Sequence, residues 1–322
     1  MAPHLTIRQL EIFVAAAEHL SFARVAEKLH LSPSAVSFQI AQMELQTGYD
    51  LFERIGRRVA LTQSGIVLLS FARPVLQAMT DVERAMLALR GAGSGQVRLG
   101  LVSTAKYIVP HIIARFRILY PGVTVRLIEG NRSLIITQLI AGAIDLAIMG
   151  KPPPDVDVVA QNFAPHPQVL IASPEHRLAG LSHVEPAALA MEWFVVREDG
   201  SGTRSLSDRF FEAAGFAPRV AMETSSNEMI KQAVIAGMGL AIISRHTISL
   251  ELSLGLVATL AVEGFPVERD WFLVQRRALP LLPVQQGLLD YLLANGPAII
   301  DEICLGIDQF GLQHNQRRPG GA

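Results

Sequence analysis

From Gln96 to about residue 300 the chain alternates short β-prone runs with helical patterns, and this alternation limits the possible folds more than any other feature. QVRLGLV, VTVRLIE, LAIMG, QVLIAS, WFVV, RVAMET, LAIIS and WFLVQ read as strands. Helical spacing runs through Tyr107 to Leu119, Leu134 to Ala141, Thr203 to Ala214, Glu228 to Ala236 and Val284 to Ala294. Strands interleaved with helices call for α/β layers with mostly parallel sheets. The stretch is long for one such sheet, so two subdomains are expected. The closing GLQHNQRRPGGA reads as a disordered tail, with Arg317 and Arg318 as solvated charges.

The first ninety or so residues follow a different pattern. Thr6 to His19 has Leu10, Phe13, Val14 and Ala17 at helical spacing, with Thr6 placed to cap. Ser21 opens a second helix whose stripe is Val25, Ala26 and Leu29, and Ser32-Pro33 has the cap-then-proline order that starts a third. In that third helix Val36, Ile40 and Met43 share a face, which turns Ser34, Ser37, Phe38 and Ala41 elsewhere. DLFERIGRRVALT then reads as a hairpin, or wing, turning at Gly56-Arg57. From Thr62 to Arg90 Leu68, Ala72, Val75, Met79, Val82, Met86 and Leu89 recur at steps of four and three. That seam calls for a partner helix, and hence a homodimer. Pro74 inside it predicts a kink or irregular turn. GAGSGQ, positions 91–96, reads as a flexible hinge.

At 322 residues and 50% hydrophobic composition the chain can bury sizeable cores, which excludes a disordered or fibrous protein. Its net charge of -1 gives no global attraction to nucleic acid, so any DNA contact must come from a local cluster of cations. The single Cys304 forbids an internal disulfide and suits a reducing compartment. Apolar runs are short: LEIFVAAAEHL is broken by Glu11, Glu18 and His19, and no uninterrupted run approaches the ~20 residues of a membrane span. A soluble, cytoplasmic protein without a membrane partner is expected.

Two helices joined by a tight turn place the second in a DNA major groove, while a wing grips phosphate. The candidates for contact are Ser21, Pro33, Ser34, Ala35, Ser37, Phe38 and Gln39, with Arg54, Arg57 and Arg58 on the wing. Hydroxyls and the Gln39 amide can bond base edges or phosphates, an exposed Phe can meet a thymine methyl, and wing arginines supply the sequence-independent grip.

The segment LTIRQLEIFVAAAEHLSFARVAEKLHLSPSAVSFQIAQMELQTGYDLFERIGRRVALTQSG, with its LFER and LTQSG elements, resembles the winged-helix domain of LysR-type transcriptional regulators. That resemblance implies a winged helix-turn-helix domain at 1–61, a linker and dimerisation helix at 62–90, the hinge at 91–96, an effector-binding domain at 97–300 and a C-terminal tail at 301–322. It also implies that the effector domain is folded like type 2 periplasmic binding proteins: one subdomain at 97–164 and 267–300, a second at 165–266, two crossover strands, and a small molecule in the cleft. Dimers would assemble into homotetramers on double-stranded promoter DNA and act on RNA polymerase. Within the family, STAKYIVPHIIARFRILYPGVTVRLIEGNR and SPSAVSFQI look closest to activators of Calvin-cycle carbon-fixation operons, which respond to phosphorylated sugars or nucleotides such as NADPH. An operon sensed through an amino or organic acid is the alternative within the family.

Ligands of open α/β sheets sit beyond the carboxyl ends of strands. The candidates there are Ser103, Thr104, Ala105 and Lys106, then Asn131, Arg132 and Ser133, then Gly202, Thr203 and Arg204 of GSGTR, and Ser226 with Asn227. Hydroxyls, helix N-terminal amides and cations converging in this way suit a small anionic effector. Catalysis is not expected. The nine His show no metalloprotease spacing, SGTRS is not a nucleophile elbow, and no P-loop or Rossmann glycine pattern occurs, so neither metal nor cofactor is implied. Asp145, between a helix and a strand, reads as a capping residue. A solute-binding protein is the rival of another class, which the α/β part alone would allow.

Overall fold

The computed structural model describes residues 5–55, 58–88 and 95–316, which form two compact units divided after Leu87. In the first unit three helices, α1 (Ile7–His19), α2 (Phe22–Leu29) and α3 (Pro33–Thr47), precede a hairpin of β1 (Phe52–Ile55) and β2 (Arg58–Leu61) and the long α4 (Gln63–Ala88). Thr6 caps α1 reciprocally with Gln9, and left-handed residues Leu20, His30 and Gly48 end the three helices. The core joins Phe13, Val25, Val36, Ile40 and Met43 to Leu51 and Ala72, each large buried side chain contributing about 1.5–3 kcal/mol. Gly65, in the LTQSG element, has no room for a side chain: a Cβ there would strike the Leu51 carbonyl, so α4 starts flush against the wing.

The expected seam on α4 divides in two. Ala72 is buried and Leu68 packs beside it in the winged domain's own core, whereas Val75, Met79, Val82 and Met86 are exposed. Helix α4 also runs without interruption through Pro74. Leu89 and Arg90, Gly91 to Ser94 of the hinge, and Arg57 of the wing lie outside the described residues. The other two hinge positions, Gly95 and Gln96, are the first residues of a strand.

The second unit begins with β3 (Gly95–Val102), a 3₁₀ turn (Ala105–Tyr107), α5 (Val109–Leu119), β4 (Val123–Gly130), α6 (Arg132–Ile140), β5 (Leu146–Met149) and β6 (Val158–Pro165). It continues through β7 (Gln168–Ala172), β8 (Trp193–Arg197), α7 (Gly202–Ala213), β9 (Arg219–Thr224), α8 (Asn227–Ile235), β10 (Ala241–Ser244), α9 (Ser249–Ser253) and β11 (Ala258–Thr259). It returns through β12 (Asp270–Arg276) and α10 (Pro283–Gln316). One sheet has the order β4-β3-β5-β12-β6; β3 is parallel to β4 and β5, and β12 is antiparallel to both β5 and β6. The second subdomain pairs β8 with β9 in parallel and β7 with β10 and β11 antiparallel. Its two sheets meet at a bridge from Phe194 to Leu240.

The sheets are therefore mixed rather than mostly parallel. The cause is the double crossover, because β12 returns from the second subdomain and enters the first sheet against the direction of β5. Strand β6 is absent from the sequence reading; its exposed and half-buried VVAQN start lacks a continuous apolar run. Beyond residue 300 the chain is also more ordered than expected, since α10 continues to Gln316. Ile299 and Ile300 are buried against the first subdomain's core, Ile303 and Cys304 pack on it, and Arg115 pairs with Glu302. Arg317 and Arg318 lie outside the described residues.

Candidate functional site

In the helix-turn-helix, Ser32 accepts from the Ala35 amide and sets the first turn of α3, while Val36, Ile40 and Met43 anchor the helix from behind. What remains outward is Pro33, Ser34, Ser37 and Phe38, the last 60% exposed, with Ala35 and Gln39 half-buried beside them. Ser21, half-buried, stands at the start of α2 without bonding its amides. The Glu44 carboxylate accepts from the amides of Leu51 and Phe52, which ties the end of α3 to the wing. Arg54 lies opposite Val59 and Arg58 opposite Ile55 in the hairpin register.

In the second unit a cavity of about 30 Å³, room for about two waters, lies partly open to solvent where the two subdomains meet. Its walls are strand ends: Val102, Ser103 and Thr104 after β3, Asn131 and Arg132 after β4, Gly150 and Lys151 after β5, and Arg197 with Ser201, Gly202 and Thr203 after β8. The crossovers add His166 and Arg269. Asn131 caps α6 by accepting from Leu134, and Ser201 caps α7 by accepting from Thr203, so two helix N-termini open at the cavity. Gly200, at φ +79°, makes the close approach possible. A Cβ there would stand 2.8 Å from the Ser133 hydroxyl, which together with the Ser133 amide bonds the Gly200 carbonyl across the cleft.

Three arginines set the electrostatics. Buried Arg197 donates to Ser103 Oγ at 3.1 Å and to Asn227 Oδ1 at 2.7 Å, and pairs with Glu198. Among the described residues Arg132 is held by the carbonyls of Lys151 and Pro152, at 3.1 and 3.2 Å, and Arg269 by those of Gly202 and Gly150, each at 3.3 Å. No carboxylate among the described residues pairs with either. Burial disfavours the charge of both, and for Arg269 the neighbouring Arg209 and Arg132 add to that cost. The result is an uncompensated positive site at the convergence of two helix N-termini.

Residues 7–66 match the family model for the bacterial regulatory helix-turn-helix protein, lysR family, and residues 90–297 match that for the LysR substrate binding domain. The chain is a LysR-type transcriptional regulator. Curated relatives include the RuBisCO operon transcriptional regulator of Allochromatium vinosum, 42% identical over 90% of this chain and 96% of that protein. The HTH-type transcriptional regulator CbbR of Rhodospirillum rubrum is 44% identical over 89% and 96%. Among solved structures, the Synechocystis PCC6803 CcmR regulatory domain in complex with 2-PG is 37% identical, with TM-score 0.60 over 62% of this chain and 96% of that one. Full-length CbnR complexed with its target DNA, 22% identical with TM-score 0.68 over 89% and 98%, shares the fold. The helix-turn-helix match sets aside the solute-binding alternative.

The LysR-type regulator brings six of its expected effector residues to the cavity wall: Ser103, Thr104, Asn131, Arg132, Gly202 and Thr203. Six others do different work. Lys106 turns to Glu129, at 3.4 Å, and Arg204 pairs with Glu223 and Asp208 while donating to the Arg197 carbonyl. Ala105 is buried in the first subdomain's core, and Ser226 caps α8. Asn227 holds Arg197, and Ser133 clasps Gly200. Asp145 is not a cap; it forms a buried pair with Arg98.

Arg197, Gly150 and Lys151 are missing from the sequence reading although the strand-end rule reaches them. Arg269 precedes β12 and so falls outside the strand-end rule, and His166 follows β6, the strand absent from the sequence reading. In the regulator no cluster of His, Cys, Asp or Glu among the described residues is arranged to hold a metal ion. No helix among them is long and apolar enough to cross a membrane.

Proposed function

We propose that this regulator controls a carbon-fixation operon, most simply as an activator, in response to a small anionic metabolite bound in the cleft. The observation that carries the effector reading is the Arg132 and Arg269 pair, two desolvated cations without carboxylate partners among the described residues. An anion there supplies the missing counter-charge. The operon assignment is supported by relatives that carry RuBisCO-operon names and align along most of the chain. Phosphorylated sugars, NADPH-like nucleotides and 2-PG, which the CcmR regulatory domain binds, are the first compounds to test.

The DNA reading assigns base contact to Ser34, Ser37 and Phe38, support to Ser21, Pro33, Ala35 and Gln39, and phosphate contact to Arg54, Arg57 and Arg58. The exposed Val75, Met79, Val82 and Met86 stripe of α4 supports pairing of two protomers, so that two recognition helices meet successive half-sites. Homodimers then assemble into a homotetramer in the cytoplasm and engage RNA polymerase on promoter DNA. The cavity is lined by residues of both subdomains, so an anion held there bonds groups of each. Binding therefore changes the angle between subdomains, and through it the spacing of DNA-bound pairs.

Band shifts and footprints on the chain's own upstream DNA test this. A sequence-preferring, salt-sensitive complex whose footprint changes with one of these anions is expected. A footprint unchanged by all of them would remove the effector mechanism, and no sequence preference would remove the promoter assignment.

A further inference from the structure

His166 joins the two subdomains between β6 and β7, and one of its ring nitrogens has no hydrogen-bond partner among the described residues although the residue is only 4% exposed. Which nitrogen carries the proton follows from Gln168. The Gln168 Nε2 atom lies 3.3 Å from the His166 carbonyl oxygen and 2.9 Å from ring Nε2. A carbonyl can only accept, so this end of the amide is the NH₂ group, and its second hydrogen goes to ring Nε2. With Nε2 accepting, a neutral imidazole carries its hydrogen on Nδ1, the orphaned atom.

Nδ1 faces Gly150, a residue of the cavity wall. His166 lines the cavity, and a Cβ built on the lining residue Gly150 would stand 3.0 Å from it. The ring cannot turn to another partner. It stacks on Trp271 with centroids 3.5 Å apart and planes 17° from parallel, and the His246 ring lies parallel to it with centroids 6.1 Å apart. Trp271 is fixed in turn by donating to His246 Nδ1 at 3.3 Å. Burial, with His246 and Arg269 nearby, keeps His166 neutral by pushing its pKa well below the usual histidine value.

Three charged side chains of the wall are also donors. Arg132, Arg197 and Arg269 can only donate, and Ser103 Oγ already accepts from Arg197, which leaves its hydrogen for the cavity. The carbonyls of Gly150, Lys151 and Gly202 are taken by Arg269 and Arg132.

We propose that the Nδ1–H of His166 is a direct contact to the bound effector, and that it completes a donor-lined floor selecting anions that offer unprotonated oxygen and carry no ammonium. This rests on the reading of the cleft as the effector site. The ligand class is a phosphate ester or a carboxylate without an amino group, and amino acids are rejected because an ammonium would lie among three guanidinium groups.

The experiment uses the full chain with ¹⁵N-labelled histidine, titrated with inorganic phosphate. Long-range ¹H–¹⁵N spectra are expected to show His166 as the Nδ1–H tautomer, with that nitrogen shifting as phosphate binds. Calorimetry is expected to give about tenfold weaker phosphate binding for His166→Phe, which keeps the stack and loses the donor. His166→Asn, which restores an N–H near the Nδ1 position, is expected to recover part of it. 3-Phosphoglycerate is expected to bind and phosphoserine, with an ammonium in place of the hydroxyl, is not. Phosphate binding that leaves His166 Nδ1 unmoved, or equal affinity in a folded His166→Phe variant, overturns this proposal and leaves the cleft reading standing. Should the wild-type chain bind neither phosphate nor 3-phosphoglycerate, the cleft reading falls and this proposal with it. If His166→Phe does not fold, the wild-type titration decides alone.

Discussion

Nη2 of Arg197 donates to Oγ of Ser103 across 3.1 Å, and so ties the end of β8 in one subdomain to the end of β3 in the other. The bond is buried and charge-assisted, the kind worth about 1.5–3 kcal/mol. Ser103→Ala breaks the tie without touching either core. The expected result is about tenfold weaker anion binding by calorimetry and an effector-free midpoint of thermal unfolding within a few degrees of wild type. Unchanged affinity would show that Ser103 neither contacts the ligand nor holds Arg197 for it.

Arg269 bonds a carbonyl in each subdomain, Gly150 and Gly202, while its charge is disfavoured by burial and by Arg209 and Arg132. Arg269→Gln keeps a donor and removes the charge. The variant is expected to melt higher than wild type without ligand and to gain less from added anion, because the cation is retained for binding at a cost in stability. Melting curves with and without phosphate at low ionic strength check both signs.

Phe38 is exposed on a helix whose other face is anchored by Val36, Ile40 and Met43. Phe38→Ala is expected to leave the melting temperature unchanged and to weaken operator binding by about 1–2 kcal/mol, a loss of a good apolar base contact. Competition band shifts at fixed salt measure it. A similar loss on nonspecific DNA would assign Phe38 to general affinity rather than to sequence.

His246 is pushed down to about 4, first by burial and then by Arg245, with Asp301 opposing. Between pH 6.5 and about 4 the unfolded chain takes up a proton at this position that the folded chain does not. Stability present above pH 6.5 is therefore lost as pH falls through that window, and His166 adds to the loss in the same direction. Urea midpoints measured from pH 7 to pH 4.5 are expected to fall less steeply for His246→Gln, which can still accept from Trp271 Nε1.

Asp145 accepts from both the backbone amide and the guanidinium of Arg98, and both side chains are buried. Asp145→Asn removes the carboxylate from a buried ion pair and is expected to cost about 3–5 kcal/mol, read as a lower urea midpoint. DNA binding by the first unit should survive under conditions where the chain remains folded.

Much of this molecule is local chemistry and is legible as such. Thr6 and Gln9 make a capping box, Ser32-Pro33 starts α3, and eight β-prone runs coincide with strands. Each needs only neighbours within a few residues, which is why spacing and residue type are enough. The reading weakens where partners are distant in sequence. The first part of the α4 seam is claimed by the core of Phe13 and Met43 before a second protomer is involved, and VVAQNFAP becomes a strand because β12 returns to pair with it.

The candidate site divides along the same line. Ser103, Asn131 and Arg132 stand at strand ends and helix starts, so topology alone points to them. Lys106 and Arg204 stand at equivalent positions, and only the folded chain decides that Glu129, Glu223 and Asp208 take their charges. Sequence by itself determined the helix-turn-helix, the wing, the long helix and the two-subdomain α/β class, because caps, periodicity and turn residues act over short range. Tertiary structure alone decided which cations have no carboxylate partner among the described residues and which buried ring nitrogen stands beside Gly150 of the cavity wall. Those outcomes depend on groups such as Arg132 with Arg269, and His166 with Gln168 and Trp271, that meet only when two crossovers bring the subdomains together.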